Sequence, residues 1–136
     1  MGARLGAMPM VFTVLFAASA RAQEANFDCA NATAEQEMNR CAGLDYEAAD
    51  RELNKIWSVA IGSMRGLDAG QPEGAAGAAE ALLAAQRAWL TFRDHQSLAE
   101  GFEAHLGSLE PFIVSTCLGR VTRARTEELK ALSRAY

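Results

Sequence analysis

Gln86, Trp89 and Arg93 are the residues of this chain whose types and spacing most plainly suggest chemistry. They recur three and four apart within AQRAWLTFRD, so on a helix they share one face with Leu82, Leu90 and Ser97. An amide and a guanidinium on a packed face need partners, because an unpaired buried charge is strongly destabilising. Asp50 and Asn54, one helical turn apart, are the expected partners, with Thr122 and Arg125 joining from further along the chain. Arginine suits the role: its planar fork binds a carboxylate bidentately and can stack on Trp89 at the same time. Such a set reads either as a ligand or catalytic pocket or as a buried polar layer that fixes helix register. No second carboxylate and no histidine joins it, so the layer is the expectation.

Other reactive side chains are scattered. His95 and His105 stand ten residues apart, about 80° out of alignment on a helix, and read as solvated rather than metal-binding despite nearby Asp94 and Glu103. No paired-carboxylate, phosphate-cradling or zinc-ligand pattern occurs. The chain is therefore expected to be no enzyme, to carry no catalytic residue and to need no metal or cofactor.

Three helices must position these residues. Thr33-Ala-Glu-Gln36 has the form of a capping box, and Met38, Cys41, Ala42, Ala49, Leu53, Ile56, Trp57, Ala60 and Met64 follow it at helical spacing. The first helix is expected over about 33–64, closed by Gly66. Gly66 to Gly77, with four glycines and Pro72, reads as a mobile connection. The second helix is expected over about 78–104. Ser108 then reads as the N-cap of a third over about 109–133, with Pro111 tolerated in its first turn. Short connections make neighbours antiparallel, so the fold class is all-α, an antiparallel three-helix bundle or hairpin. At 1.5 Å per residue, Asp50 falls roughly 25 Å up the first helix, Arg93 about 22 Å down the second and Thr122 and Arg125 about 20–25 Å up the third. The polar set thus lies near mid-bundle.

The first 22 residues read as a secretory signal: Arg4, an uncharged apolar run from Leu5 to Ala20, and Ala20-Arg21-Ala22 as a small-x-small cleavage site, so that the domain covers 23–136. Only about 16 residues separate the two arginines, too few for the ~20 of a membrane span. The expected location is periplasmic or secreted, with no stable membrane span in the mature chain. Without Arg4 and Arg21 the chain keeps 11 of its 13 bases and all 17 acids, a net charge of −6, which disfavours nucleic acid as partner. Residues 23–80 hold 11 acids and 4 bases, and residues 81–136 hold 6 and 7. A cation-seeking surface is therefore expected on the first half.

Several of these elements occur together in order: Phe27-Asp28-Cys29, Thr33, Glu37, Met38-Asn39, Cys41, Ala49-Asp50, Leu53-Asn54, Gln86-Arg87-Ala88-Trp89, Phe92-Arg93-Asp94, Gly107-Ser108, Cys117, Thr122, Arg125 and Leu129. In this the chain resembles the LprI-like lysozyme inhibitor family, small exported bacterial proteins of helical fold. The resemblance implies a non-enzymatic inhibitor of lysozyme. Such proteins usually carry four cysteines, one of them shortly after the Arg-Asp pair. Here His95-Gln96-Ser97-Leu98 occupies that place, which leaves three.

Reach favours Cys29–Cys41. The chain can fold back ~13 Å from the Thr33 cap, and Cys41 sits about 12 Å along the helix. Cys117, level with Ser97, is then a buried free thiol. Cys41–Cys117 remains the rival pairing. An acidic exported domain would be steered electrostatically to a basic lysozyme. Asp28, Glu35, Glu37, Asp45 and Glu52 are the candidate contact residues, with Glu35, Glu37 and Asp45 expected on the outer face. The alternative is an envelope interaction or structural module with another partner.

Overall fold

The computed structural model describes residues 28–135. The proposed signal segment and Phe27 lie outside them. The described chain is all-α: α1 spans Glu35–Ala69, α2 spans Ala78–Gly101, a 3-10 turn follows at Phe102–Ala104, and α3 spans Glu110–Ala135. Among the described residues no helix is long and apolar enough to cross a membrane.

Two features of α1 differ from expectation. It starts at Glu35 with Ala34 as N-cap and no side-chain cap, so Thr33 does not form the capping box. Glu35 and Glu37 in the first turn face the positive end of the helix dipole instead. At the other end α1 runs through Gly66 to Ala69. The reason is Asp68, whose carboxylate accepts the N–H groups of Gly77 (2.9 Å), Ala78 (2.8 Å) and Ala79 (3.0 Å). These are orphan donors of the α2 N-terminus, for which no residue of α2 itself supplies a cap. The last turn of α1 is thus the cap of α2, and the glycine-rich connection is anchored at both ends. Those three N–H donors hold the Asp68 carboxyl below its ordinary value.

Helix α1 packs most extensively on α3. Its buried positions Ala42, Ala49, Leu53, Ala60 and Met64 step by seven and four, which keeps them on one stripe. The apolar core gathers Leu53, Ala60, Met64, Leu82 and Leu129, with Trp57, Trp89 and Leu132 against it. Toward the other end the packing is tight and built on small residues. A Cβ on Gly101 would collide with Val114, so only glycine lets α2 close on α3 there. Ser108 is not a cap for α3: its hydroxyl donates to the carboxylate of Glu35, tying the α2–α3 turn to the start of α1. Asn39 Nδ2 reinforces the tie with a 2.9 Å bond to the Ser108 carbonyl.

Candidate functional site

The polar residues anticipated on three separate helices meet between them. Arg93, projecting from α2, is buried at 8 % exposure. Its Nη1 donates to Asp50 Oδ1 at 3.2 Å and its Nε to Asp94 Oδ1 at 2.8 Å. Asn54 Nδ2 donates to the other oxygen of Asp50 at 3.0 Å. The Arg93 guanidinium lies between two rings, with Cζ 5.3 Å from the Trp89 centroid and 5.5 Å from that of Tyr46. A second branch joins α2 to α3: Arg125 Nε donates to Gln86 Oε1 at 3.0 Å and Nη1 to Glu128 at 2.8 Å. Its Cζ stands 6.0 Å from the Trp89 ring centroid. Thr122 is fully buried. Its Oγ1 and Arg125 Nη2 have no protein partner among the described residues.

Trp89 is common to both branches, within cation–π distance of both guanidiniums. Asp50 is exposed over 37 % of its side chain, so the ion pair opens to solvent on the α1–α2 side rather than being sealed. Tyr46, Asp94 and Glu128 belong to the set although sequence reasoning missed them. Tyr46 was findable, because 46, 50 and 54 lie one turn apart on α1. Burial pushes the Tyr46 phenol up, partly offset by the charge of Arg93. Contrary to expectation, more than one carboxylate joins the layer: Arg93 holds Asp50 and Asp94, and Arg125 holds Glu128, an arrangement that can hold helices in register or grip a polar group at its rim.

The five candidate contact acids separate into two places. Asp45 is paired with Arg123 of α3. Glu52 reaches Lys130 at 3.6 Å and Lys55 at 3.9 Å. Both line a groove of about 530 Å³ between α1 and α3, floored by Ala48 and Ala49, with Glu127 on the far wall. This groove is distinct from the polar layer, and its acids face cations of the same chain. Asp45 is therefore ion-paired within the chain, although its side chain stays 54 % exposed. Glu35 is likewise engaged, by Ser108. Glu37 is half-buried. Asp28 accepts the Ala30 N–H at 3.1 Å and Asn31 Nδ2 at 2.7 Å, bonds that lower its pKa, the Asn31 bond most. Asp28, Glu35 and Glu37 share the end of the bundle where the α2–α3 turn lies.

Cys29 and Cys41 are disulfide-bonded, with Cα atoms 5.6 Å apart, and the rival Cys41–Cys117 pairing does not occur. Cys117 is a buried free thiol whose pKa burial pushes up, beside Ser97, Glu100 and Arg120. His95 Nδ1 stands 2.8 Å from the carbonyl of Thr91, and His105 stacks on Phe102. Among the described residues no group of three His, Cys, Asp or Glu side chains could hold a metal ion.

Comparison with known proteins places this geometry in a lineage. A family described as Lysozyme inhibitor LprI matches residues 29–129. An uncharacterized protein of Rhizobium meliloti (strain 1021) is 48% identical over 118 residues, covering 85% of each chain. No solved structure matches.

Proposed function

The chain belongs to the LprI lysozyme inhibitor family, and from that premise we propose that it is an exported, non-enzymatic inhibitor of lysozyme acting in the periplasm or outside the cell. The observation that carries the reading is the family match across nearly all of the described domain. Charge supports it. The mature chain reads as acidic, and an acidic domain is drawn to a basic enzyme at long range. The site chemistry also supports binding over catalysis, since the polar layer pairs its charges internally and offers no nucleophile. Asp28, Glu35 and Glu37, at one end of the bundle, are the proposed electrostatic contacts. Asp45 and Glu52 serve the α1–α3 pairing instead.

The test is lysis of a peptidoglycan suspension by c-type, g-type and i-type lysozymes in the presence of the purified mature protein. An acidic protein of similar size is the control, because any polyanion binds lysozyme loosely. Slower lysis than the control supports inhibition. Unchanged lysis by all three classes at micromolar protein overturns it.

A further inference from the structure

The α2–α3 turn exposes apolar surface that the fold does not use. Leu106 is 90 % exposed, the highest among the large apolar residues described, and Phe102 (62 %), Leu98 (52 %) and Leu109 (36 %) lie beside it in sequence. Leu106 also has φ +65°, the left-handed region, and is the one described non-glycine residue there. A branched side chain adopts that conformation only when its surroundings impose it. Gly107, adjacent in sequence, would take it without strain.

The surroundings that impose it are specific. Glu110 accepts the Leu106 N–H at 2.9 Å through Oε2 and faces His105 Nδ1 at 3.2 Å through Oε1. The His105 ring stacks on Phe102 with centroids 4.4 Å apart. The Gly107 N–H bonds the Ala104 carbonyl at 2.9 Å. The bonds from Ser108 to Glu35 and from Asn39 to Ser108 fasten the turn to α1. The result is a pre-ordered apolar knob, and a knob ordered before contact loses little entropy on binding. Carboxylates stand beside it: Glu103 in the turn itself, Glu110 on the Leu106 N–H, and Glu35 of the first turn of α1, bonded to Ser108, with Glu37 in that same helical turn.

We propose that this turn is the docking element of the protein, with Leu106 and Phe102 entering an apolar-lined cleft on a basic partner. Resting on the inhibitor reading, that cleft is the substrate groove of the lysozyme. The acidic rim matches a basic enzyme by charge.

Leu106→Gly separates docking from folding. Glycine relieves the positive φ, so Tm stays at the wild-type value or rises, while inhibition weakens by about ten-fold or more as for a truncated hot spot. Val59→Ser, an exposed apolar position elsewhere, is the matched control and leaves inhibition intact. A photo-reactive residue at position 106 in the otherwise native chain should cross-link to groove residues of the enzyme. Unchanged inhibition by Leu106→Gly, or cross-links confined to the enzyme's outer surface, overturns the knob and leaves the inhibitor reading standing. If the wild-type protein inhibits no lysozyme, the inhibitor reading falls and this assignment falls with it.

Discussion

Arg93 shows how a single side chain can be read and then misjudged. Its type and helical position announced a carboxylate partner on another helix, and Asp50 is there. What spacing could not convey is the solvent on the far side of Asp50. A sealed carboxylate would be left stranded by Arg93→Ala at a large penalty, whereas this one is more than a third exposed and is rehydrated. The expected cost of Arg93→Ala is therefore roughly 1–3 kcal/mol, most of it lost packing between Tyr46 and Trp89. Asp50→Ala should cost less than Arg93→Ala, since Asp94 still holds the guanidinium. The double variant should be less destabilised than the sum of the singles. Urea denaturation of the four proteins measures this, and strict additivity would show that the Arg93–Asp50 contact carries no energy. Cys117 offers a second test at this scale. Its thiol lies within hydrogen-bonding reach of Ser97, and both residues are fully buried. Ser97→Cys should form a bond with Cys117 across α2 and α3 and stabilise by about 3 kcal/mol in the chain-entropy picture. Thiol titration of the denatured, unreduced protein should then find no free cysteine.

Between elements, the couplings that matter are mostly those without a sequence motif. Helix existence and antiparallel order were legible from apolar spacing. So was the Cys29–Cys41 bridge, because reach is a local property of a short segment. The end of α1 was not legible. Gly66 is a common stop signal, but nothing in a one-dimensional pattern shows that Asp68 is needed nine to eleven residues later, where it accepts three N–H groups. The α3 start failed for a similar reason: Ser108 looks like a cap, yet its hydroxyl is taken by Glu35 from 73 residues away. Asp68→Asn should lower Tm in the manner of a lost N-cap residue. The sign with pH follows from the lowered pKa. The stabilisation is complete above the ordinary value of 3.8 and is lost as pH falls through the lower folded-state value. The Tm gap between wild type and Asp68→Asn should accordingly be flat near neutrality and close in acid. A gap that widened on acidification would mean that the carboxylate is not the stabilising form. Reducing the Cys29–Cys41 bridge should cost about 2–4 kcal/mol, with new hydrogen exchange concentrated before Cys41, since the apolar core begins at Leu53.

For the whole molecule, the charge asymmetry along the sequence does not survive folding as an asymmetry of surface. Residues 23–80 are strongly acidic, but α3, after the antiparallel α2, runs parallel to α1 and sets Arg123 against Asp45 and Lys130 against Glu52. Two of the five candidate acids are thereby paired, and the groove they line presents both signs. Of the five candidate acids, Asp28, Glu35 and Glu37 remain for a partner; Glu35 is bonded to Ser108 of the α2–α3 turn, which also carries Glu103. This redistribution makes the salt dependence of inhibition a sharp test. Steering by exposed carboxylates is screened beyond about 8 Å at physiological ionic strength, so the association rate with a basic lysozyme should fall as salt rises while dissociation changes little. Glu37→Lys with Glu103→Lys should lower that rate and flatten its salt dependence. Asp45→Lys should instead lower Tm by placing a cation against Arg123, without altering the rate for the protein that remains folded. Stopped-flow association at several salt concentrations, read beside thermal melts, separates the two outcomes. If Asp45→Lys slows association more than the Glu37 and Glu103 pair, the α1–α3 groove is the contact surface and the end of the bundle is not.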